Sequence, residues 1–355
     1  MTQKTKVALL FGGRSAEHEI SLISATSIFN NLDRHKFDVT SIYINKQGNW
    51  RVVKSPLLAQ TDMEKGQFLP FLPWTKESLP DAVNADIYFP IFHGPYGEDG
   101  TIQGLFEMAD VPYVGATVLA SAVGMDKAIA KSLFLQRNLP VVKHLVLLEI
   151  TWEQSPDQIL KQIQKDFPPP FFVKPSNLGS SVGITKVNEF RQTQSALETA
   201  FQYDYKILVE EGIQGREIEC SVLGNVHPHA SLPGEIIPHR EFYDYRDKYI
   251  EGKTSFGIPA DLPPEIVNQV QDLAVKAYLA IDCSGMARVD FFLQEKTEKV
   301  FLSEINTIPG FTEISMYPKL WEVSGLPYSE LLDELINLGF ERHKNKKRKG
   351  VFFKP

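Results

Sequence analysis

Two cysteines in 355 residues, Cys220 and Cys283, leave no disulfide framework and no thiolate metal site to consider. Both lie in apolar segments without metal-ligand spacing, which reads as reduced core thiols of a cytoplasmic protein. No apolar run reaches membrane length, and the one near the start, Val7–Phe11, is too short for the core of a signal peptide. A basic excess is missing as well. The formal net charge of −7 argues against nucleic acid as the main partner. The single basic run, 343–350, reads as a solvated helix end or a tail. Two common nucleotide signatures are also absent. The sequence GGRSAEHE at 12–19 lacks GxGxxG spacing, which disfavours NAD, and no GK[ST] follows any glycine-rich loop. Internal repeats and low-complexity linkers are not found. What remains is an ordinary globular composition, 43% hydrophobic and 23% charged, at a length that favours two or three domains.

Against this background the stretch 287–310, ARVDFFLQEKTEKVFLSEINTIPG, stands out. Two apolar runs, 287–293 and 300–305, flank a charged turn-like segment, which is a hairpin signal. Side chains alternate faces along a strand. A turn centred near Thr297 then sets Asp290 opposite Glu304, Arg288 opposite Asn306 and Phe292 opposite Leu302. One face carries an apolar floor at the turn end and an Asp/Glu/Asn/Arg cluster at the other. The plainest explanation is an edge hairpin in which Arg288 pairs with Asp290. The alternative is a cation site, because side-by-side carboxylates in an apolar setting cost several kcal/mol unless neutralised. Hard oxygen donors without His or Cys suit Mg²⁺, which commonly shares its coordination with substrate phosphates.

In chain order, a strand over 6–11 runs into Gly12-Gly13, a helix over 15–31 follows, and a strand over 37–45 completes a βαβ unit. Glu17 falls in the first helical turn, where a capping carboxylate is its ordinary role. Residues 45–85 show no assignable pattern. A strand over 86–89 ends in the loop HGPYGEDG at 93–100, which places His93 at the same sheet edge as Gly12-Gly13, followed by a helix over 101–108. One helix is expected over 121–138, with Lys127 at its middle. Further on, a strand over 171–174, a Gly/Ser turn over 177–183 and a strand over 184–187 make a hairpin, either an ordinary loop or a phosphate-covering flap. Lys174 favours the flap, because a lysine on an apolar strand needs an anionic partner. The strand over 205–210 ends in Glu210-Glu211-Gly212, a hinge or an acidic surface turn. The aromatic, charged stretch 241–263 has no period and is long enough to be a functional lid. Helices over 264–281 and 328–343 complete the chain.

Taken together, GGRSAEHEISL, HGPYGEDGTIQG, MDKAIAK, VKPSNLGSSVGITKV, FYDYRDKY, GMARVDFF and SEINTIPGFT make the chain resemble the D-alanine–D-alanine ligase family of ATP-grasp enzymes, over nearly its whole length. The resemblance implies a mixed α/β and α+β fold in three domains. These are an N-terminal α/β (parallel-sheet) substrate domain at 1–125, a central ATP-grasp subdomain with the flap at 126–213, and a C-terminal domain with lid and metal site at 214–355. ATP is then held between the central and C-terminal antiparallel sheets. By the same resemblance Asp290, Glu304 and Asn306 match the ligands of two Mg²⁺ ions, for which Mn²⁺ can substitute. Lys127, Lys174 and the lid's Lys248 match phosphate contacts, and Ser181 belongs to the flap over them. Glu210, Glu211, Ile213 and Glu217 match adenine and ribose contacts, with Phe292 under the ring. Glu17 matches the carboxylate that receives the first D-alanine, His93 a group near that substrate, and Ser180 and Tyr249 the partners that tie flap and lid to Glu17. Arg288 and the Gly310 N–H match an oxyanion-stabilising pair, and Ser315 a contact to the second substrate. The implied activity is ATP-dependent joining of two D-alanines through an acylphosphate, in a cytoplasmic homodimer serving cell-wall synthesis. A ligase joining D-alanine to D-lactate or D-serine, a nucleotide-binding module without turnover, and an ATP-grasp ligase for unrelated substrates are the competing expectations.

Overall fold

The computed structural model describes residues 3–69, 84–237 and 255–349. The lid residues Lys248 and Tyr249 therefore lie outside the described residues. The chain begins with β1 (Thr5–Gly12), α1 (His18–Asn31), β2 (Phe37–Ile44), β3 (Trp50–Val53), α2 (Gln60–Met63), β4 (Gln67–Leu69) and β5 (Ile87–Ile91). These strands form one sheet in the order β4-β3-β2-β1-β5. β1 pairs in parallel with β2 and β5, and Val7 to Phe11 are fully buried, as befits a central strand covered on both faces. The glycine that ends β1 is required by geometry. Gly12 has φ +93°, and a Cβ there would lie 2.1 Å from the Ile44 carbonyl oxygen. The segment without an assignable pattern is structured in part: β3 extends the sheet antiparallel to β2, and β4 pairs antiparallel with β3.

The structure replaces the expected single helix over 121–138 by two, α4 (Val118–Met125) and α5 (Lys127–Gln136), after α3 (Thr101–Met108). The break is a cap. Asp126 leaves helical geometry at φ −87°, ψ 96° and its carboxylate accepts from the Ala128 and Ile129 N–H groups. Lys127 is thereby the first residue of α5 rather than the middle of a long helix. A four-stranded antiparallel sheet follows in the order β6-β9-β7-β8, from β6 (His144–Leu148), β7 (Phe171–Pro175), β8 (Thr185–Val187) and β9 (Lys206–Glu211). Helices α6 (Glu149–Gln154), α7 (Pro156–Asp166) and α8 (Thr193–Phe201) flank it in sequence.

The rest of the chain builds a third, antiparallel sheet from β10 (Gly215–Gly224), β11 (His229–Ala230), β12 (Gly234–Ile237), β13 (Ser255–Gly257), β14 (Gly285–Gln294) and β15 (Val300–Asn306). Helix α9 (Pro264–Ala280) lays Val270, Leu273, Ala274, Ala277 and Tyr278 on one buried stripe against it. α10 (Met316–Val323) and α11 (Tyr328–Lys347) end the described chain. The basic run forms the end of α11, where Lys346 pairs with Glu107 and Lys347 with Asp110 at 3.1 Å. The apolar cores are unequally shared. The first sheet's core includes Met286, Phe311, Tyr317, Trp321 and the inner face of α11, whereas the four-stranded sheet packs a core drawn only from 147–209.

Candidate active site

The hairpin of β14 and β15 has the register expected at its open end: Arg288 faces Asn306 and Asp290 faces Glu304. Beyond Asp290 the register shifts. Phe291 pairs with Leu302 and Phe292 with Phe301, which corrects the expected Phe292–Leu302 pair. A bulge at Ser303 causes the shift by placing one extra residue on β15. The apolar floor beside the polar cluster is thus Phe292 with Phe301, while Phe291 and Leu302 turn into the core. On the other side of β14, β10 sets Glu219 opposite Asp290 and Glu217 opposite Phe292. Paired residues share a face, so Glu219, Asp290 and Glu304 make an acidic row across three strands.

Arg288 holds this row together. Its guanidinium grips both oxygens of Asp290 at 2.7 and 2.6 Å and lies 3.1 Å from Glu219. Burial alone would weaken its charge, but Asp290 and Glu219 outweigh that and raise its pKa well above the ordinary value. Asn306 donates to Asp290 at 3.0 Å, and Lys127 approaches Glu304 at 3.5 Å. The pairing of Arg288 with Asp290, the plain alternative for the hairpin, is therefore present. Among the described residues no three His, Cys, Asp or Glu side chains converge closely enough to hold a metal alone. An all-oxygen set of Asp290, Glu304 and the Asn306 amide does fit Mg²⁺ if phosphate oxygens complete it.

A cavity opens at the end of this hairpin, lined by Glu17, His93, Lys127, Ser180, Arg288, Glu304, Asn306, Gly310 and Ser315 among others. Glu17 stands at the N-cap of α1 but makes no capping bond; its carboxylate accepts from the Ser180 hydroxyl on the flap. The flap tip carries Ser180 and Ser181 at φ 51° and 60°, left-handed values uncommon for such residues. Lys127 donates to the Leu178 carbonyl at 2.7 Å, a second tie to the flap. His93 is buried beside Ser24 at 3.1 Å, and that burial lowers its pKa and keeps the ring neutral near pH 7. Gly94 has φ +76°, and a Cβ there would sit 2.7 Å from the Glu17 carboxylate. The Ser315 hydroxyl lies 2.8 Å from that of Thr312.

The other expected site residues among those described do not line this cavity. Lys174 is buried on β7 with the Glu210 carboxylate 2.6 Å away, the anionic partner that an apolar strand requires. Glu210 keeps its charge because Lys131 and Lys174 outweigh the desolvation that opposes it. Glu211 ends β9, and Ile213 lies in the link to β10, which carries Glu217. At Gly212 a Cβ would fall 2.4 Å from the Pro170 carbonyl oxygen, so the backbone there leaves no room for a larger hinge residue.

Three residues of this site escaped the sequence reading. Glu219 could have been found from its alternation with Glu217 on one strand, and Lys131 from its i+4 spacing to Lys127. Glu98 lies within the glycine-rich loop and lines the cavity, its carboxylate accepting from the Gly94 N–H at 2.6 Å. Although partly exposed to the cavity, it is hemmed in enough that burial, with Glu17 nearby, pushes its pKa up to about 8.

The family model for the D-ala D-ala ligase N-terminus matches residues 6–116, and that for the D-ala D-ala ligase C-terminus matches 133–337. The D-alanine–D-alanine ligase of Thermoanaerobacter sp. (strain X514) is 49% identical, covering 98% of this chain and 99% of that one. Among solved structures, the D-alanine-D-alanine ligase from Coxiella burnetii superposes with a TM-score of 0.86 at 39% identity, covering 98% of this chain and 97% of that one. The VanG D-Ala:D-Ser ligase of Enterococcus faecalis does so with a TM-score of 0.84 at 35% identity, covering 95% and 100%. With its mixed sheet and two antiparallel sheets so matched, the chain belongs to the D-alanine–D-alanine ligase family of ATP-grasp enzymes.

Proposed function

We propose that this chain joins two D-alanine molecules at the expense of ATP, releasing ADP and phosphate. The carboxylate of the first D-alanine attacks the γ-phosphorus, and ADP leaves with the bridging oxygen. The amine of the second attacks the acylphosphate carbonyl, loses a proton, and expels phosphate as the peptide bond forms. The observation that carries this reading is the single cavity where Glu17, clamped by Ser180, faces Arg288, Gly310 and Ser315. Glu17 receives the ammonium of the first D-alanine, with His93 beside it, and Ser315 meets the carboxylate of the second. Arg288 and the Gly310 N–H stabilise the tetrahedral oxyanion; losing one such donor typically costs roughly 10²–10³ in rate. Lys127, Lys174 and Lys248 take the phosphates together with Ser181, and Ser180 and Tyr249 tie flap and lid to Glu17. The rim of Glu210, Glu211, Ile213 and Glu217, with Phe292, takes the adenosine. Asp290, Glu304 and Asn306 would hold Mg²⁺, which when bound neutralises charge on the transferring phosphoryl oxygens. Enclosure by flap and lid keeps water from the acylphosphate.

On this reading residues 1–125 hold the first substrate, 126–213 carry the flap, and 214–355 supply the oxyanion and metal groups. The dipeptide would serve peptidoglycan precursor synthesis in the cytoplasm, and a homodimer is the expected assembly. A D-Ala:D-Ser specificity is the second reading, supported by the likeness to the Enterococcus faecalis enzyme, at lower identity than the Thermoanaerobacter relative. Phosphate release from Mg-ATP with D-alanine, D-serine, D-lactate or L-alanine, and product mass, decides between them. D-Alanyl-D-alanine formed from D-alanine alone is the expected result. Asp290→Asn and Glu304→Gln should then each lose at least about 10²-fold in rate. Tight ATP binding without release for any amino acid would overturn the substrate assignment.

A further inference from the structure

Lys131 lies one helical turn beyond Lys127 on α5, with 1% of its surface exposed. Its neighbours on that helix, Ala130 and Phe134, pack into the apolar core behind the six-stranded sheet. An ammonium group in such a place is costly unless its N–H groups are satisfied. Its Nζ is 3.1 Å from Glu210 Oε1 on β9 and 2.8 Å from the carbonyl oxygen of Ser303 on β15. Glu210, 3% exposed, gives its other oxygen to Lys174 at 2.6 Å. Ser303 is the bulge residue next to Glu304. A bulge leaves backbone groups off the ladder, and Lys131 takes the freed carbonyl. One buried side chain therefore joins the helix that opens with Lys127, the strand that pairs with Lys174, and the strand that bears Glu304 and Asn306.

We propose that Lys131 is a positioning residue for ATP: it neutralises Glu210 and anchors the Ser303 bulge, so that Lys174 and Glu304 are presented to the nucleotide phosphates. Given that the phosphates bind here, as the functional reading holds, Lys174 must be able to turn from Glu210 toward them. It can do so only if a second cation stays with the buried carboxylate. Without Lys131, Glu210 has Lys174 as its remaining cation at this distance and competes with phosphate for it. The carboxylate would then act as an internal inhibitor of nucleotide binding. D-Alanine, bound at the far side of the cavity by Glu17 and Ser315, would not feel the loss directly.

The test compares wild type, Lys131→Met and Lys131→Arg. It measures KM for ATP and for D-alanine, and the Kd of the β,γ-imido analogue of ATP by calorimetry. Lys131→Met should raise KM for ATP and the analogue Kd at least about tenfold, with KM for D-alanine changed less than about twofold. Lys131→Arg, which keeps a cation beside Glu210, should retain most of the nucleotide affinity that Lys131→Met loses. Equal rises in both KM values, an unchanged analogue Kd, or a Lys131→Arg variant no better than Lys131→Met would each overturn the proposal. If Lys131→Met does not fold, Lys131→Gln carries the same titration, keeping an N–H for Ser303 without the charge, and unchanged analogue affinity there also overturns it. Wild type that neither binds the analogue nor releases phosphate with D-alanine would instead sink the functional reading.

Discussion

Glu98 and Glu17 line one cavity, and a carboxylate charge close by in a confined space raises the cost of ionising Glu98. Burial and Glu17 together hold the Glu98 pKa at about 8, against 4.5 for a free glutamate. The folded state therefore binds a proton that the unfolded state has already released across that interval. Stability contributed by protonated Glu98 is full below about 4.5 and is lost as pH rises through about 8. Glu98→Gln mimics the protonated form at every pH. Urea unfolding of both proteins at pH 5 and pH 9 should show the variant gaining on wild type by more than about 1 kcal/mol across that range. Parallel stability profiles would mean that Glu98 ionises normally in the folded protein. The sequence offered no hint of this shift, because it depends on the approach of two carboxylates 81 positions apart.

Asp126 shows how one side chain organises an element. It caps α5, accepts from the Ser176 hydroxyl at 2.7 Å and pairs with Lys206, fixing the helix start against the base of the flap. Burial works against its charge, but Lys206 and Ser176 outweigh it and lower its pKa. Asp126→Ala should cost about 2–4 kcal/mol in urea unfolding, a cap plus a half-buried lysine left unpaired. Asp126→Asn should lose less at pH 7. That gap should shrink as pH falls below the ordinary aspartate range, because the stabilisation belongs to the ionised form. A cost for Asp126→Ala within about 0.5 kcal/mol of zero would show the cap to be incidental. The same element marks the limit of sequence reading. Apolar residues run on through 118–136, so periodicity suggests one helix, and only the cap signal of Asp126 points to two. The hairpin was legible at Arg288–Asn306 and Asp290–Glu304 because alternation fixes faces. It failed at Phe292 because nothing in the run Leu302-Ser303-Glu304 announces a bulge. The two short strands at 50–53 and 67–69 were hidden for a similar reason, each being too brief to establish a period.

At the scale of the whole molecule, the distribution of apolar cores says which part is free to move. The first sheet and the C-terminal helices share one core through Phe311, Tyr317, Trp321 and the α11 leucines. The six-stranded sheet shares another with α5 through Ala130 and Phe134. The four-stranded sheet is different. Its core is its own, and it meets its surroundings through polar links: Asp126 with Ser176 and Lys206, Lys127 with Leu178, Lys131 with Glu210, and Glu17 with Ser180. Polar links can be exchanged for substrate contacts at small net cost, whereas a shared apolar core cannot be opened without exposing it to water. The unit at 144–211 should therefore open and close over the cavity while the rest of the chain stays together. Hydrogen exchange with and without the β,γ-imido ATP analogue and D-alanine tests this. Added protection should concentrate in the flap at 176–184 and in the strand β9 that bears Glu210, with little change in β1, β5 and α11. Protection gained equally in all three sheets would indicate a rigid molecule. In that case the Lys174–Glu210 pair would be fixed structure rather than a contact that ATP replaces.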